Sequence, residues 1–250
     1  MSGAHLEFRR DIDKASHAVL FIHGICGSPN HFRDFYGQVP DDWSIRAILI
    51  EGHGGTVRQF SRSSMARWKE QVSRTVDELA ADHASILITG HSMGTLLAIE
   101  QALRKPKYVK ALFLLAVPLR ARASRAAVSQ SLRTVLDLDS RGDPALEAAK
   151  ALYSMNPDRK IWRYLGYIPR YYELLKLMRE TRGRIPQLAL PCRVLMSRRD
   201  EIVSPRSADY LLVNPRIDLG WLEHSDHKYY PQGDKEFMLE DFACTCRNFL

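Results

Sequence analysis

A glycine-bounded serine is the part of this chain best suited to chemistry. Gly90-His91-Ser92-Met93-Gly94 directly follows the apolar run 85–89 and begins a helical pattern that ends before Pro106. A sharp strand-to-helix turn strains the serine backbone and leaves no space for side chains two positions away on either side. Gly90 and Gly94 meet that requirement, so Ser92 is predicted to be an exposed nucleophile at a helix N-terminus. The alternative is an ordinary turn with a capping serine.

A nucleophilic serine needs an imidazole to accept its proton and an acid to orient the imidazole. Asp200 follows the predicted strand 193–196 by a short loop, and His227 follows the predicted strand 217–222. Because the carboxyl ends of parallel strands meet at one edge of a sheet, both side chains are expected near Ser92. The order serine, acid, histidine is therefore interpreted as a catalytic triad.

Neighbouring side chains could take the same roles. Glu201 and Asp226 are alternative acids, but Asp200 lies nearer to the end of its strand. His224 is an alternative base, although its place three residues before His227 favours packing or a solvent-facing position. His224, Asp226 and His227 could also bind a metal, but no further Cys or His cluster completes such a site, so no metal is predicted.

The elements that must position these side chains alternate between strand and helix. A short first strand is expected from the alternating pattern at residues 5–8. Apolar runs typical of strands buried on both faces occupy residues 18–22, 45–50, 85–89, 111–117, 193–196 and 217–222. Ser64 is predicted to cap a helix whose buried face carries Trp68, Val72, Val76 and Leu79. Further helices are predicted at 92–105 and 234–249. The fold class is therefore α/β, with a mostly parallel central sheet flanked by helices.

The alternation stops between about residues 118 and 190, where helical signals occur without a convincing strand. Asp143-Pro144 is typical of a helix start, and a last helix is predicted over 171–182, before Gly183. We therefore divide the chain into a core of residues 1–117 and 191–250 and a helical insertion of residues 118–190.

The insertion carries all of the excess positive charge. It holds 14 Lys and Arg against 7 Asp and Glu, whereas the rest of the chain has 22 of each. Its basic residues include Arg120, Arg122, Arg125, Arg159, Lys160, Arg163, Arg179, Arg182 and Arg184. A solvated helical surface is the favoured interpretation, and attraction of an anionic lipid or an acidic ester is the alternative. Nucleic acid is not predicted as a partner, because no groove-entering motif or stacking platform accompanies the charge.

Composition limits the remaining possibilities. A chain of 250 residues with 45% hydrophobic and 26% charged residues predicts one globular domain with an insertion. Without roughly 18 consecutive apolar residues or an apolar leader, neither a membrane span nor a secretory signal is predicted, and the expected location is cytoplasmic. The cysteines lack a CxxC pair and are expected to be buried thiols rather than disulfides; they are Cys26, Cys192, Cys244 and Cys246.

Several motifs in order give the chain a family resemblance that spans nearly its whole length. They are His23-Gly24-Ile25-Cys26-Gly27-Ser28-Pro29, Glu51-Gly52-His53-Gly54-Gly55, the turn 90–94, Arg199-Asp200-Glu201-Ile202-Val203 and Ser225-Asp226-His227. In these motifs the chain resembles the α/β-hydrolase superfamily, in particular its small carboxylesterases and monoacylglycerol lipase-like hydrolases. The resemblance implies an α/β-hydrolase fold in which residues 118–190 form a helical cap, or lid, over the active site.

The resemblance also implies further site residues. In this family the residue after the first His-Gly and the residue after the serine donate backbone N–H groups to the oxyanion; here these are Ile25 and Met93. His23 and Gly24 would shape that loop, while Gly90 and Gly94 shape the serine turn. His23 itself is expected to be a buried, hydrogen-bonded residue rather than a catalytic one, and His53 is expected to brace its loop.

The activity implied by this resemblance is that of a serine hydrolase. Its expected substrates are carboxylic esters with short to medium acyl chains or monoacylglycerols, cleaved through an acyl-enzyme intermediate without a metal or organic cofactor. Its partner would be a small-molecule ester, with peripheral membrane contact as a possibility. The alternatives are a serine aminopeptidase or amidase and a slow-turnover ligand-binding receptor on the same fold.

Overall fold

The computed structural model describes residues 5–122, 133–134, 142–158 and 160–248. Its centre is a seven-stranded sheet in which neighbouring strands follow the order β1-β3-β2-β4-β5-β6-β7. The strands are β1 Phe8–Arg10, β2 His17–Ile22, β3 Ser44–Ile48, β4 Ser85–His91, β5 Val109–Leu115, β6 Cys192–Ser197 and β7 Ile217–Leu222. Only the β1–β3 pair is antiparallel among these, so the expected α/β sheet is confirmed.

Helices cover both faces of the sheet. They are α1 Val57–Arg62, α2 Met65–Asp82, α3 Met93–Arg104, α4 Pro144–Leu152, α5 Tyr167–Arg182, α6 Ala208–Leu211 and α7 Gln232–Asn248. Shorter 3₁₀ helices span Pro29–Gln38, Ile161–Gly166, Ile185–Gln187 and Pro205–Ser207. Ser64 caps α2 as predicted, since its hydroxyl accepts the Arg67 N–H.

Two cores result from the alternation of side chains along the central strand β4. Ile86 and Ile88 pack into the core that includes α2, α3 and α5, whereas Leu87 packs into the core beneath α7. Every residue of β4 is buried. The strand therefore holds the turn that follows it between two packed layers.

Several strand ends differ from the sequence prediction. The predicted run 45–50 loses its last two residues because the Ile50 N–H donates to His23 Nε2 instead of to a strand. The run 111–117 ends at Leu115 because Ala116 adopts a φ of 54°, which breaks the extended backbone. The first strand lies at Phe8–Arg10 rather than at the predicted residues 5–8, because the pairing with β3 begins only at Phe8.

Helices also differ from the prediction. Helix α5 begins at Tyr167 rather than at residue 171, because Pro169 lies in its first turn, where the missing N–H costs no hydrogen bond. Helix α1 and the 3₁₀ helix Pro29–Gln38 were not predicted. A capping box marks the start of α1: the Thr56 side chain accepts the Gln59 N–H, and the Gln59 side chain accepts the Thr56 N–H.

The segment between β5 and β6 contains α4 and α5 and is joined to core loops by backbone hydrogen bonds. The Ser154 N–H donates to Cys26 O at 3.1 Å, and the Asn156 N–H donates to Gly55 O at 2.8 Å. Arg125 and Arg159, two of its basic residues, lie outside the described residues. In the part of the chain that the structure describes, no helix is long and apolar enough to cross a membrane.

The cysteines fit the predicted thiols with one exception. All four are free; Cys26, Cys192 and Cys246 are buried, but Cys244 is half-buried. Cys244 lies on the partly exposed face of α7, next to residues that point away from the core. The expectation of buried thiols is therefore wrong for this residue alone.

Candidate active site

Ser92 occupies the sharp turn between β4 and α3. The prediction of an exposed serine is wrong, because Ser92 is buried in the wall of a cavity. Its backbone has φ 51° and ψ −121°, a strained conformation for a side-chain-bearing residue. A Cβ on Gly94 would lie 1.9 Å from Ile22 O, and one on Gly90 would lie 2.8 Å from the Gly94 carbonyl. Both positions therefore require glycine, as the spacing of the pentapeptide predicts.

Asp200 and His227 meet beside this turn. His227 Nδ1 donates to Asp200 Oδ2 at 2.7 Å, and both side chains are buried. The second oxygen, Asp200 Oδ1, accepts the N–H groups of Ile202 at 2.8 Å and Val203 at 2.6 Å. These bonds orient the carboxylate, and with Nδ1 carrying the proton, His227 Nε2 is left as an acceptor.

The rival residues have other positions. His224 is exposed, and its backbone N–H donates to Asp234 Oδ2 at 2.8 Å. Asp226 is half-buried, and burial, together with Glu201 and Asp200, raises the pKa of its carboxyl. Glu201 Oε2 accepts the backbone N–H of His227 at 3.0 Å. The geometry thus pairs Asp200, not its neighbours, with the His227 ring.

The His91 side chain is hydrogen-bonded to the backbone carbonyl of His227. His91 Nε2 donates to His227 O at 3.0 Å, and the His91 ring stacks on His31 with centroids 3.8 Å apart. Burial is the main cause that lowers the pKa of His91 well below its ordinary value. No sequence spacing signals this bond, because its partners are 136 residues apart.

Two further histidines brace the loops in front of the serine. His23 Nδ1 donates to Gly24 O at 2.8 Å while its Nε2 accepts the Ile50 N–H at 3.0 Å. His53 Nδ1 donates to Ile50 O at 3.0 Å while its Nε2 accepts the Cys26 N–H at 3.2 Å. Burial lowers the pKa of both, to about 4 for His53, so each is a neutral imidazole with one donor and one acceptor.

The loop 23–27 lies directly against the nucleophile. A Cβ on Gly24 would be 3.1 Å from Ser92 Cβ, so a side chain there would press on the serine. Ile25 follows in the same cavity wall, and Cys26 adopts a φ of 58°. Met93 is the first residue of α3, where backbone N–H groups have no partner within the helix. Met93 therefore directly follows Ser92, and Ile25 directly follows the glycine that packs against Ser92.

A cavity of about 520 Å³ opens in front of Ser92 and His227. One wall comes from the core loops, and the opposite wall comes from the segment between β5 and β6, including Leu152, Tyr171, Leu174, Leu175 and Met178. The lining is mostly apolar. The cavity can therefore take an apolar substrate portion of appreciable size.

Metal-ligating side chains are not grouped in this region. Among the residues that the structure describes, no set of three His, Cys, Asp or Glu side chains is arranged to hold a metal ion. His224 is exposed, whereas His227 is buried inside the site.

Comparison with known proteins identifies the family of the chain. The profile of the family "Serine aminopeptidase, S33" matches residues 13–216. A thermostable monoacylglycerol lipase from Bacillus sp. (strain H-257) is 24% identical over 197 residues, which are 77% of this chain and 74% of that protein.

Solved structures share the fold at low sequence identity. A structure of the metagenome-derived lipolytic enzymes LipS and LipT superposes with a TM-score of 0.76 and 20% identity, covering 98% of both chains. A soluble variant of monoglyceride lipase from Saccharomyces cerevisiae has a TM-score of 0.71 and 12% identity, covering 97% of this chain and 91% of that one. Together with the sheet order and the serine turn, the profile match shows that the chain belongs to the serine aminopeptidase S33 family of α/β hydrolases.

Proposed function

We propose that the protein is a serine hydrolase that cleaves carboxylic esters with short to medium acyl chains or monoacylglycerols. The observation that carries the proposal is the pairing of His227 with the buried Asp200 beside a strained Ser92, at the wall of a mostly apolar cavity. The similarity to a bacterial monoacylglycerol lipase supports the lipid ester as substrate.

The reaction begins with attack of Ser92 Oγ on the ester carbonyl. His227 Nε2 accepts the serine proton, and Asp200 stabilises the imidazolium through Nδ1. When the tetrahedral intermediate collapses, His227 returns the proton to the leaving alcohol and an acyl-enzyme remains. Water then attacks the acyl group, again losing its proton to His227, which releases the acid and restores the serine.

Stabilisation of the oxyanion is assigned to the backbone N–H groups of Ile25 and Met93. Ile25 follows Gly24, which packs against Ser92, and Met93 follows Ser92 in the first turn of α3. Fixed donors favour the charged tetrahedral oxygen over the neutral carbonyl, and the loss of one such donor costs about 100- to 1000-fold in rate. His23 and His53 contribute by fixing the loop that carries Ile25.

Residues 118–190 are proposed to act as a cap that selects the acyl chain. Leu174 and Met178 of α5 line the cavity opposite the core loops. Apolar side chains in this position desolvate an acyl chain and thereby contribute binding energy in proportion to the area they bury.

The test combines covalent labelling with a substrate series. Wild-type protein is expected to be labelled by a fluorophosphonate and to hydrolyse p-nitrophenyl esters, with kcat/KM depending on acyl length. Ser92→Ala is expected to lose both properties while circular dichroism and thermal unfolding stay near wild type. Labelling that persists at another serine contradicts the assignment, and hydrolysis of aminoacyl arylamides in preference to esters would identify an aminopeptidase instead.

A further inference from the structure

The described lining of the candidate active-site cavity contains basic side chains but no acidic ones. Of the described residues that line it, none is Asp or Glu, whereas Arg122 and Lys228 are both present. Asp200 stays behind the His227 ring, and Glu201 is occupied by the His227 N–H. A substrate entering the cavity therefore meets two basic side chains in an otherwise mostly apolar lining.

Lys228 lies in this lining. It directly follows His227 and is half-buried, and within the described residues its ammonium makes neither an ion pair nor a hydrogen bond. Burial lowers the pKa of Lys228, while Cys26 and Glu201 oppose that change. An unpaired ammonium in partly apolar surroundings loses hydration that only an anion can replace well.

The charge of Lys228 acts on the cavity walls. It adds to the burial that lowers the pKa of His31 to about 3, and it also contributes to the lowered pKa of His91. It opposes the burial that raises the pKa of Cys26 to about 11. All three residues line the same cavity as Lys228.

Arg122 provides a second cation whose position is built into the fold. Its backbone N–H donates to Ile202 O at 2.7 Å, next to the bridge between Ala121 and Val203. Its Nη1 donates to Asp200 O at 3.0 Å. One edge of the guanidinium is thus anchored beside the proposed acid, and its remaining N–H groups make no hydrogen bond within the described residues. Such a planar fork suits a carboxylate or phosphate.

We infer that Arg122 and Lys228 form a subsite for an anionic group of the substrate, so that the preferred ester carries a carboxylate or phosphate in addition to its scissile bond. This inference rests on the proposed ester hydrolysis and narrows its substrate class. The same two cations repel the ammonium group of an aminoacyl substrate, which disfavours aminopeptidase activity.

The experiment compares matched neutral and anionic esters. For an anion on the acyl side, mono-p-nitrophenyl glutarate is compared with p-nitrophenyl valerate, which has the same number of acyl carbons. For an anion on the alcohol side, a 1-monoacylglycerol is compared with its 3-phosphate. The wild type is expected to prefer the anionic member of one pair by on the order of 10- to 100-fold in kcat/KM, the range of a charge-assisted hydrogen bond.

Variants then assign the preference to the cavity. Lys228→Met is expected to reduce the anionic-to-neutral ratio of kcat/KM about tenfold or more, whereas Lys228→Arg retains most of it because the charge remains. Lys107→Met is the matched control, since this exposed lysine precedes β5 at the opposite end of the sheet. It removes the same charge from the protein and is expected to leave the ratio unchanged.

The outcomes separate the two proposals. Hydrolysis of p-nitrophenyl valerate without preference for either anion overturns the subsite and leaves ester hydrolysis intact. A preference that Lys228→Met and Arg122→Gln both leave unchanged also overturns the subsite. If the wild type hydrolyses none of these esters and takes no fluorophosphonate label, ester hydrolysis itself is wrong, and the subsite fails with it.

Discussion

Both carboxylate oxygens of Asp200 accept hydrogen bonds within the site. One of its oxygens faces His227 Nδ1, and the other accepts the backbone N–H groups of Ile202 and Val203. An isosteric amide at this position keeps the shape but replaces one acceptor by a donor. The consequence for the imidazole can be predicted, because its tautomer depends on what faces Nδ1.

Asp200→Asn is expected to lower kcat by on the order of 10⁴-fold. The amide NH₂ facing Nδ1 would place the imidazole proton on Nε2, where the base can no longer accept the proton of Ser92. Steady-state kinetics on p-nitrophenyl esters measure the effect. Asp226→Asn serves as the control, since its half-buried carboxyl is not paired with the His227 ring; strong damage from this change together with a mild Asp200→Asn would reverse the choice of acid.

The contact between β2 and the start of α3 is the packing that forces Ser92 into its turn. Gly94 lies against the backbone of Ile22 and His23, so the helix begins as close to the strand as two backbones allow. Backbone atoms of a buried strand cannot rotate away as side chains can. The glycine is therefore required by packing between elements, and not only by the strain at Ser92.

Gly94→Ala is expected to destabilise the fold by about 3 kcal/mol or more, as overpacking against buried backbone does. Its Cβ would meet Ile22 O at 1.9 Å. Denaturant unfolding measures the change. Gly233→Ala in α7 is the control, because a Cβ there meets nothing within 4 Å, and it is expected to be neutral or to stabilise by up to about 1 kcal/mol. Equal stability of the two variants would show that the turn can relax.

The boundaries of the elements were less predictable than their existence. Runs of apolar residues located the strands because burial on both faces leaves a local signature. The ends at Ile48 and Leu115 depended on a bond from Ile50 to His23 and on the left-handed backbone of Ala116. Neither feature has a local sequence pattern, so the predicted end of each strand lies two residues beyond the observed one.

Stability of the assembled protein is linked to pH through its buried neutral histidines. Burial lowers the pKa of His31 to about 3 and of His53 to about 4, and it lowers the pKa of His23 and His91 well below the ordinary value. An unfolded histidine binds a proton below about pH 6.5. Below that pH the unfolded chain holds more protons than the folded one, so the stability present at neutral pH is lost as the pH falls.

The free energy of unfolding is therefore expected to fall between pH 7.5 and pH 5, by about 1.4 kcal/mol per buried histidine for each pH unit below 6.5. Most carboxylates stay ionised in this window, which separates their effect from that of the imidazoles. Urea unfolding at several pH values measures the slope. His53→Asn should make this slope smaller by about 1.4 kcal/mol per pH unit, the contribution of one proton. Exchanging the exposed His224 for Gln should leave the slope unchanged. A free energy of unfolding that does not change over this pH range would refute the link.

The sequence by itself determined the features that arise from local rules. The apolar runs indicated a mostly parallel sheet, the paired glycines indicated the serine turn, and positions after strand ends selected Asp200 and His227. The sheet and the turn could be predicted because strand burial and turn sterics act over a few residues. The order of strands then brings the selected side chains to one edge, where the structure places His227 against Asp200.

Only the tertiary structure decided what surrounds those side chains. His91 binds the His227 carbonyl across 136 residues of chain, and Arg122 binds the Asp200 carbonyl across 78. The insertion's surplus of positive charge was visible in the sequence, but the entry of Arg122 into the same cavity as Lys228 was not. Contacts of this range form only when the sheet and the cavity walls come together, because the distance along the chain carries no information about which loops will meet.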